Sequence, residues 1–219
     1  MSLDLGKLRA EGRRNLSESE VKDLLESRGV GVTKRRVIKA DLGEIDLRYP
    51  LVIKVDSPDI LHKTEVGGAV LNIRDRGALE TEFGRMRARF PYERILVEEM
   101  EKGEFEAIVG LLNDRDFGLC IMFGVGGVLT ELYRDVAFRK VPISREDGRE
   151  MMSSIKAAAL FKGFRGIEAD AEGMLDLLLR VSDIGREQGE HIDQLDLNPV
   201  MVMAKGNVTV DAKLVLRPS

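Results

Sequence analysis

Alternating apolar and polar positions divide the 219-residue chain into short strands and amphipathic helices. Leu51 to Val55 is apolar except for Lys54 and reads as a buried strand. Val66 to Ile73 reads as a second strand, so Asp56 to Glu65 is the loop of a hairpin, longer than a tight turn needs. Upstream, Ser17 and Glu20 make a capping box, Leu16 can staple onto Val21, and Gly29 ends the helix predicted over Ser17 to Arg28. Val30 to Lys39 reads as a short strand and Ala40 to Tyr49 as a connection. Gly77 to Arg89 reads as a helix with Leu79, Phe83 and Met86 inward. Strands follow at Ile95 to Met100, Ala107 to Leu112, Leu119 to Phe123 and Val136 to Val141, with a helix opening over Val128 to Tyr133. Ser144 caps a helix reaching Ala159. Asp170 caps a longer one to about Glu187, whose Met174, Leu175, Leu178, Val181 and Ile184 share one face, and Ile192 to Leu216 alternates again as strands.

A net charge of −4 with 34 basic and 38 acidic residues leaves no electrostatic footprint for nucleic acid. The single cysteine, Cys120, lies between Leu119 and Ile121 and reads as a small buried hydrophobe in a reducing compartment. No apolar run is long enough for a signal peptide or a bilayer span, so the expected location is cytoplasmic, with no membrane partner. A chain of this length can bury about 70% of its unfolded surface as one domain. The expected organisation is a single domain over 1–219 with two lobes, about 17–97 and 98–219.

The candidate chemistry collects in four places. Lys54 on a buried strand requires an anionic partner, and with Lys63 and the amides of Gly67 and Gly68 it suits phosphate, although an ordinary hairpin with surface lysines fits the same composition. No Walker A string occurs. Glu98, Glu99, Glu101 and Glu106 crowd a junction between strands, a seat for the amino and hydroxyl donors of a base and ribose or simply a solvated acidic turn. Gly124, Gly126 and Gly127 offer amides to an anion but lack the spacing of a dinucleotide fingerprint. Arg139 and Arg165 add cations, the latter in FKGFRG, which also reads as a surface loop. Asp196, Asn198 and Asp211 are oxygen ligands of the kind Mg²⁺ prefers, and adjacent strands would bring Asn198 and Asp211 together.

Four segments in order, SPDILHKTEVGG from Ser57, VEEM with Glu106 downstream, FGVGGVLTELYRDVAFRKVP from Phe123, and LDLNP followed by VDAK, give the chain from about Leu16 to Leu216 a resemblance to a known family. It resembles the β subunit of ADP-forming acetyl-CoA synthetase, an acyl-CoA synthetase of the ATP-grasp superfamily related to the succinyl-CoA synthetase β subunit. The resemblance implies an α/β (α+β) ATP-grasp fold of two lobes with mainly antiparallel sheets clasping ATP or ADP. The implied reaction turns acyl-CoA, ADP and phosphate into free acid, CoA and ATP, reversibly. His62 would take the phosphoryl group from a CoA-binding α subunit and pass it to ADP, as a neutral imidazole can near pH 7. Lys54 would hold the nucleotide phosphates. Glu98, Glu99, Met100 and Glu101 would line the adenine hinge, and Glu106 would take the ribose. Asn198 and Asp211 would hold Mg²⁺ with Asp196 in support, and Lys63 and Arg139 would assist. An α2β2 heterotetramer is implied, because no CoA-binding region is present in the sequence. Ala40 to Tyr49 is shorter than the helix expected before the Lys54 strand. Two other readings keep the fold: a carboxylate–amine or carboxylate–thiol ligase with a structural His62, and a nucleotide-sensing module. His191 matches no motif.

Overall fold

The computed structural model describes residues 3–60, 63–126 and 135–218. Two antiparallel sheets, each with its own apolar core, account for the strands among them. The smaller sheet runs β1 (Arg35–Ile38), β4 (Arg94–Glu99), β2 (Leu51–Asp56), β3 (Ala69–Ile73), with α3 (Arg76–Arg89) against one face. Period-two alternation sends Leu51, Ile53 and Val55 of β2 and Ile95 and Val97 of β4 into the core with Leu79 and Met86 of α3. The opposite face takes Val52, Lys54 and Glu98, all buried as well. The connection 40–49 contains no described helix. It closes the same core with Leu42, Ile45, Leu47 and Tyr49 instead.

β3 begins at Ala69 rather than Val66. The residues before it are consumed by a turn in which Gly67 donates to the Thr64 carbonyl (3.1 Å) and Gly68 to that of Lys63 (2.6 Å). A side chain at Gly68 would put its Cβ 2.6 Å from Val55 Cγ1 on β2, so only glycine lets the hairpin close there. Gly68→Ala is expected to cost about 1–3 kcal/mol in a urea unfolding curve. A cost near zero would mean that the hairpin does not close as described.

The larger sheet runs β10 (Ala212–Leu216), β8 (Ile192–Val202), β5 (Phe105–Asp114), β6 (Gly118–Val125), β7 (Val136–Lys140), with β9 (Asn207–Thr209) paired to β8. On one face lie α4 (Arg145–Ser154) and α5 (Ala171–Gln188), and the predicted stripe of α5 is buried as expected. α4 stops five residues short of Ala159 because Ile155 is extended (ψ 149°). A 3₁₀ segment, Lys156–Lys162, follows, its first amides bound by the Asp135 carboxylate at 2.7 and 2.8 Å. Cys120 is buried on β6, and burial with Asp114 nearby pushes its thiol up.

The N-terminal helices α1 (Leu5–Ala10) and α2 (Glu18–Ser27) correct the expected lobe boundary. Ser17 caps α2 through the predicted box, but Leu16, Val21, Leu24, Leu25 and Val30 pack into the core of the larger sheet. An amphipathic stripe is buried where it finds area, and α2 lies beside β10. Its buried first turn therefore reaches across to the smaller sheet from the larger lobe's side.

Candidate functional site

The capping box of α2 sets Glu18 at the first helical position, and the fold buries it beneath three lysines. Lys22 lies 2.7 Å away one helical turn on, Lys54 of β2 donates to Glu18 Oε1 at 2.6 Å, and Lys63 donates to Oε2. Glu98 completes the cluster from β4: it accepts from Lys22 and from Thr33 (2.7 Å), and its second oxygen sits 3.0 Å from Lys54 Nζ, off the line of a hydrogen bond. The Val210 carbonyl accepts from both Lys22 (2.8 Å) and Lys54 (3.0 Å). Buried charges persist only when paired. The partner that Lys54 required is thus supplied twice, by Glu18 and Glu98, with Asp211 at 4.0 Å.

Burial pushes the Glu18 carboxyl upward, but Lys54, Lys22 and Lys63 outweigh it and hold it well below the ordinary glutamate range. Burial likewise opposes the charge on Lys54, while Glu18, Glu98 and Asp211 raise its pKa. Lys54 is therefore a permanent cation.

Next to this cluster opens a cavity of about 490 Å³, walled on one side by Ser57, Ile60 and Lys63 to Glu65 from the hairpin loop and on the other by Asp196, Asn198, Asp211 and Lys213. Strand pairing builds the second wall. Leu197 opposes Ala212 and both point into the core, Lys213 opposes Asp196, and the Asn198 amide donates to the Asp211 carbonyl at 3.1 Å. Alternation then turns Asp196, Asn198 and Lys213 outward to the cavity with Asp211 beside them. Two carboxylates and one amide oxygen suit a hard divalent cation, and among the described residues the Asn198 side chain makes no hydrogen bond.

Burial raises the Asp196 carboxyl, partly offset by Lys213. Burial and the Glu18 charge raise Asp211 against Lys54 and Lys63. A cation needs both groups ionised, so affinity is lost as pH falls through these raised values, starting above the ordinary carboxylate range. Below them the Kd for Mg²⁺-dependent nucleotide binding is expected to rise by about tenfold per pH unit for each proton that must leave. An Asp211→Asn chain should bind more weakly with a shallower slope. Calorimetric titration from pH 7 to pH 4 checks this, and an unchanged slope would remove Asp211 from the ligand set.

The structure brings together Lys54, Lys63, Asp196, Asn198 and Asp211 and gives other expected residues different work. Gly67 and Gly68 do not present free amides to an anion, since both donate within their own turn. Glu98 does not line a base pocket: its position on β4 aims it at Lys22 and Lys54 as a buried counter-ion. Glu99 is buried and accepts from the Arg48 amide at 3.0 Å, Met100 donates to Pro50, and Glu101 pairs with Arg48, so this trio stands where the chain passes between the sheets. Glu106 packs against Gly126, whose amide its carbonyl accepts at 2.6 Å, and it is not among the cavity's lining residues. Arg139 on β7 reaches Glu150 (3.4 Å) on α4, away from the cavity wall. Arg165 sits over the Phe164 ring in an exposed turn. His62 lies outside the described residues, as do Gly127 and the helix expected at Val128 to Tyr133.

Sequence reading missed Glu18, Lys22 and Lys213. The Glu18–Lys22 spacing of four was a visible helical ion-pair signal, but it normally marks a solvent face. Only burial turns it into part of a site.

Two antiparallel lobes that bring a buried lysine of one beside oxygen-bearing side chains on paired strands of the other are the arrangement of an ATP-grasp nucleotide-binding fold. The family profile for the ATP-grasp domain matches residues 7–216. The chain is 36% identical to the ADP-forming acetate–CoA ligase II subunit beta of Pyrococcus furiosus, over 95% of this chain and 94% of that protein, and 33% identical to the corresponding subunit of ligase I, over 96% and 95%. A longer relative, ADP-forming acetate–CoA ligase I of Archaeoglobus fulgidus, is 40% identical over 88% of this chain, which spans 30% of its length. A solved structure of the acetyl-coenzyme A synthetase 1 of Candidatus Korarchaeum cryptofilum, in complex with coenzyme A and Ca-AMPCP, superposes with a TM-score of 0.89 at 38% identity, covering 97% of this chain and 98% of that one. The chain belongs to the ATP-grasp family, in its branch of ADP-forming acetate–CoA ligase β subunits. No helix among the described residues is long and apolar enough to cross a membrane.

Proposed function

We propose that this chain is the nucleotide-side subunit of a reversible ADP-forming acetate–CoA ligase, with His62 as its phosphoryl carrier. The observation that carries the reading is the hairpin loop: Lys54 precedes it, Lys63 follows His62, and both lysines converge on Glu18 beside a cavity whose far wall holds Asp196, Asn198 and Asp211. In the forward direction the P–N bond to the His62 imidazole breaks as a P–O bond forms to the terminal phosphate oxygen of ADP, and the ring leaves with its electron pair. Lys54 and Lys63 offset the phosphate charge, the main requirement of phosphoryl transfer. Asp196, Asn198 and Asp211 would hold Mg²⁺, which would supply further neutralisation of the phosphate charge.

A CoA-binding α subunit, in an α2β2 assembly working in the cytoplasm, would form the acyl phosphate and charge the histidine. The β-subunit relatives support this partner. A related Korarchaeum structure with Mg-AMPPCP is described with its phosphohistidine segment pointing towards the nucleotide binding site. Because the reaction runs both ways, the chain given γ-labelled ATP and Mg²⁺ should take up acid-labile, alkali-stable phosphate that maps to His62 and is returned to ADP. Bound nucleotide without label, or acid-stable label on a hydroxyl, would defeat the proposal.

A further inference from the structure

The first turn of α2 grips the loop between β2 and β3 at its entry and again midway. At the entry, Asp56 accepts from the Ser19 amide (3.0 Å) and the Ser19 hydroxyl (2.6 Å), and Arg94 ties the same carboxylate (3.1 Å) to Ser17 Oγ (2.6 Å). Midway along, directly after His62, Glu18 receives Lys63. Asp56, Ser19 and Glu18 are buried, and Lys63 is largely so, its side chain 13% exposed. Glu18 is also tied to Lys22 and to Lys54, and its backbone starts a helix seated in the larger core. Glu18 is thus anchored by three groups, and Lys63 joins the loop to it.

We infer that Glu18 is a positioning residue: through Lys63 it fixes the middle of the loop against the nucleotide cavity, whose wall Glu18 itself lines, so the carrier's reach depends on the bond between this carboxylate and Lys63. A single carboxylate serving three ammonium groups has more partners than charge balance requires. Lys22 and Lys54 already share Glu98, so what Glu18 alone adds is the bond to Lys63. The inference rests on the carrier role proposed for the loop, but its first readout does not.

Three full-length variants test it: Lys63→Met, Lys63→Arg and Glu18→Gln. Hydrogen exchange followed by mass spectrometry reads the loop peptide 57–68 against that of β4. Lys63→Met and Glu18→Gln should exchange the loop about tenfold faster with β4 unchanged, and Lys63→Arg, which keeps the ion pair, should restore protection. In the complex with its α subunit, given acetyl-CoA, ADP and phosphate, kcat should fall about tenfold or more in Lys63→Met and recover in Lys63→Arg. If Glu18→Gln does not fold, the two Lys63 variants carry the test. Unchanged loop exchange in folded Lys63→Met, or faster exchange with unchanged kcat, overturns the inference. Failure of the carrier reading shows separately, as absence of phosphohistidine on the parent chain.

Discussion

Replacing His62 with alanine is expected to abolish phosphoryl transfer while leaving ADP affinity near that of the parent chain. If His62 is the covalent carrier proposed above, its removal deletes the route of the phosphoryl group, so the loss should be on the order of 10⁴-fold or more. Nucleotide affinity should survive because the groups proposed to hold the phosphates, Lys54 and the Asp196–Asn198–Asp211 wall, lie outside the substitution. The comparison that matters is single-turnover labelling from γ-labelled ATP beside equilibrium ADP binding on one preparation. A His62→Ala chain that still gains acid-labile label would mean another residue carries the phosphate. One that loses ADP binding as well would mean that the loop holds nucleotide rather than delivering to it.

The largest stability effect is expected at Glu98. Alanine there removes one of two carboxylates from a buried cluster and leaves Lys22, whose side chain is fully buried, sharing Glu18 with Lys54 and Lys63. Uncompensated buried charge typically costs about 3–5 kcal/mol, a large part of the about 5–15 kcal/mol that holds an ordinary domain folded. Glu98→Gln keeps the volume and an acceptor for Thr33 but not the charge, so it should lose most of the same stability. Adding Lys22→Met to Glu98→Ala should return part of it, because the orphan is removed with its partner. Urea unfolding of the four chains decides the matter. A loss below about 1 kcal/mol for Glu98→Ala would show that water reaches the cluster and screens it.

The same cluster sets acid stability. Glu18 ionises in the folded chain well below its unfolded value, so its contribution is complete above the ordinary glutamate range and is lost as pH falls towards the depressed folded value. A Glu18→Gln chain should therefore unfold less steeply in acid than the parent.

The elements themselves were largely legible because each obeys a local rule. The capping box at Ser17, the caps at Ser144 and Asp170 and the stripe on α5 all stand where spacing put them. The departures have local causes too: turn hydrogen bonds delay β3 to Ala69, and an extended Ile155 ends α4 early. The pairing of Asn198 with Asp211 was inferable as a register between neighbouring strands.

The sequence alone determined the order of strands and helices, the family, and the need of Lys54 for an anion, since periodicity, motif order and the cost of buried charge are all properties of the string. Tertiary structure alone decided which anion answers it. Glu18 and Glu98 lie 36 and 44 positions from Lys54 and reach it only because α2 docks on the larger core while its first turn faces the smaller sheet. The same docking withdrew Glu98 from the expected base pocket. A carboxylate looks the same in sequence whether it faces solvent, nucleotide or lysine, and only the burial of its face distinguishes them.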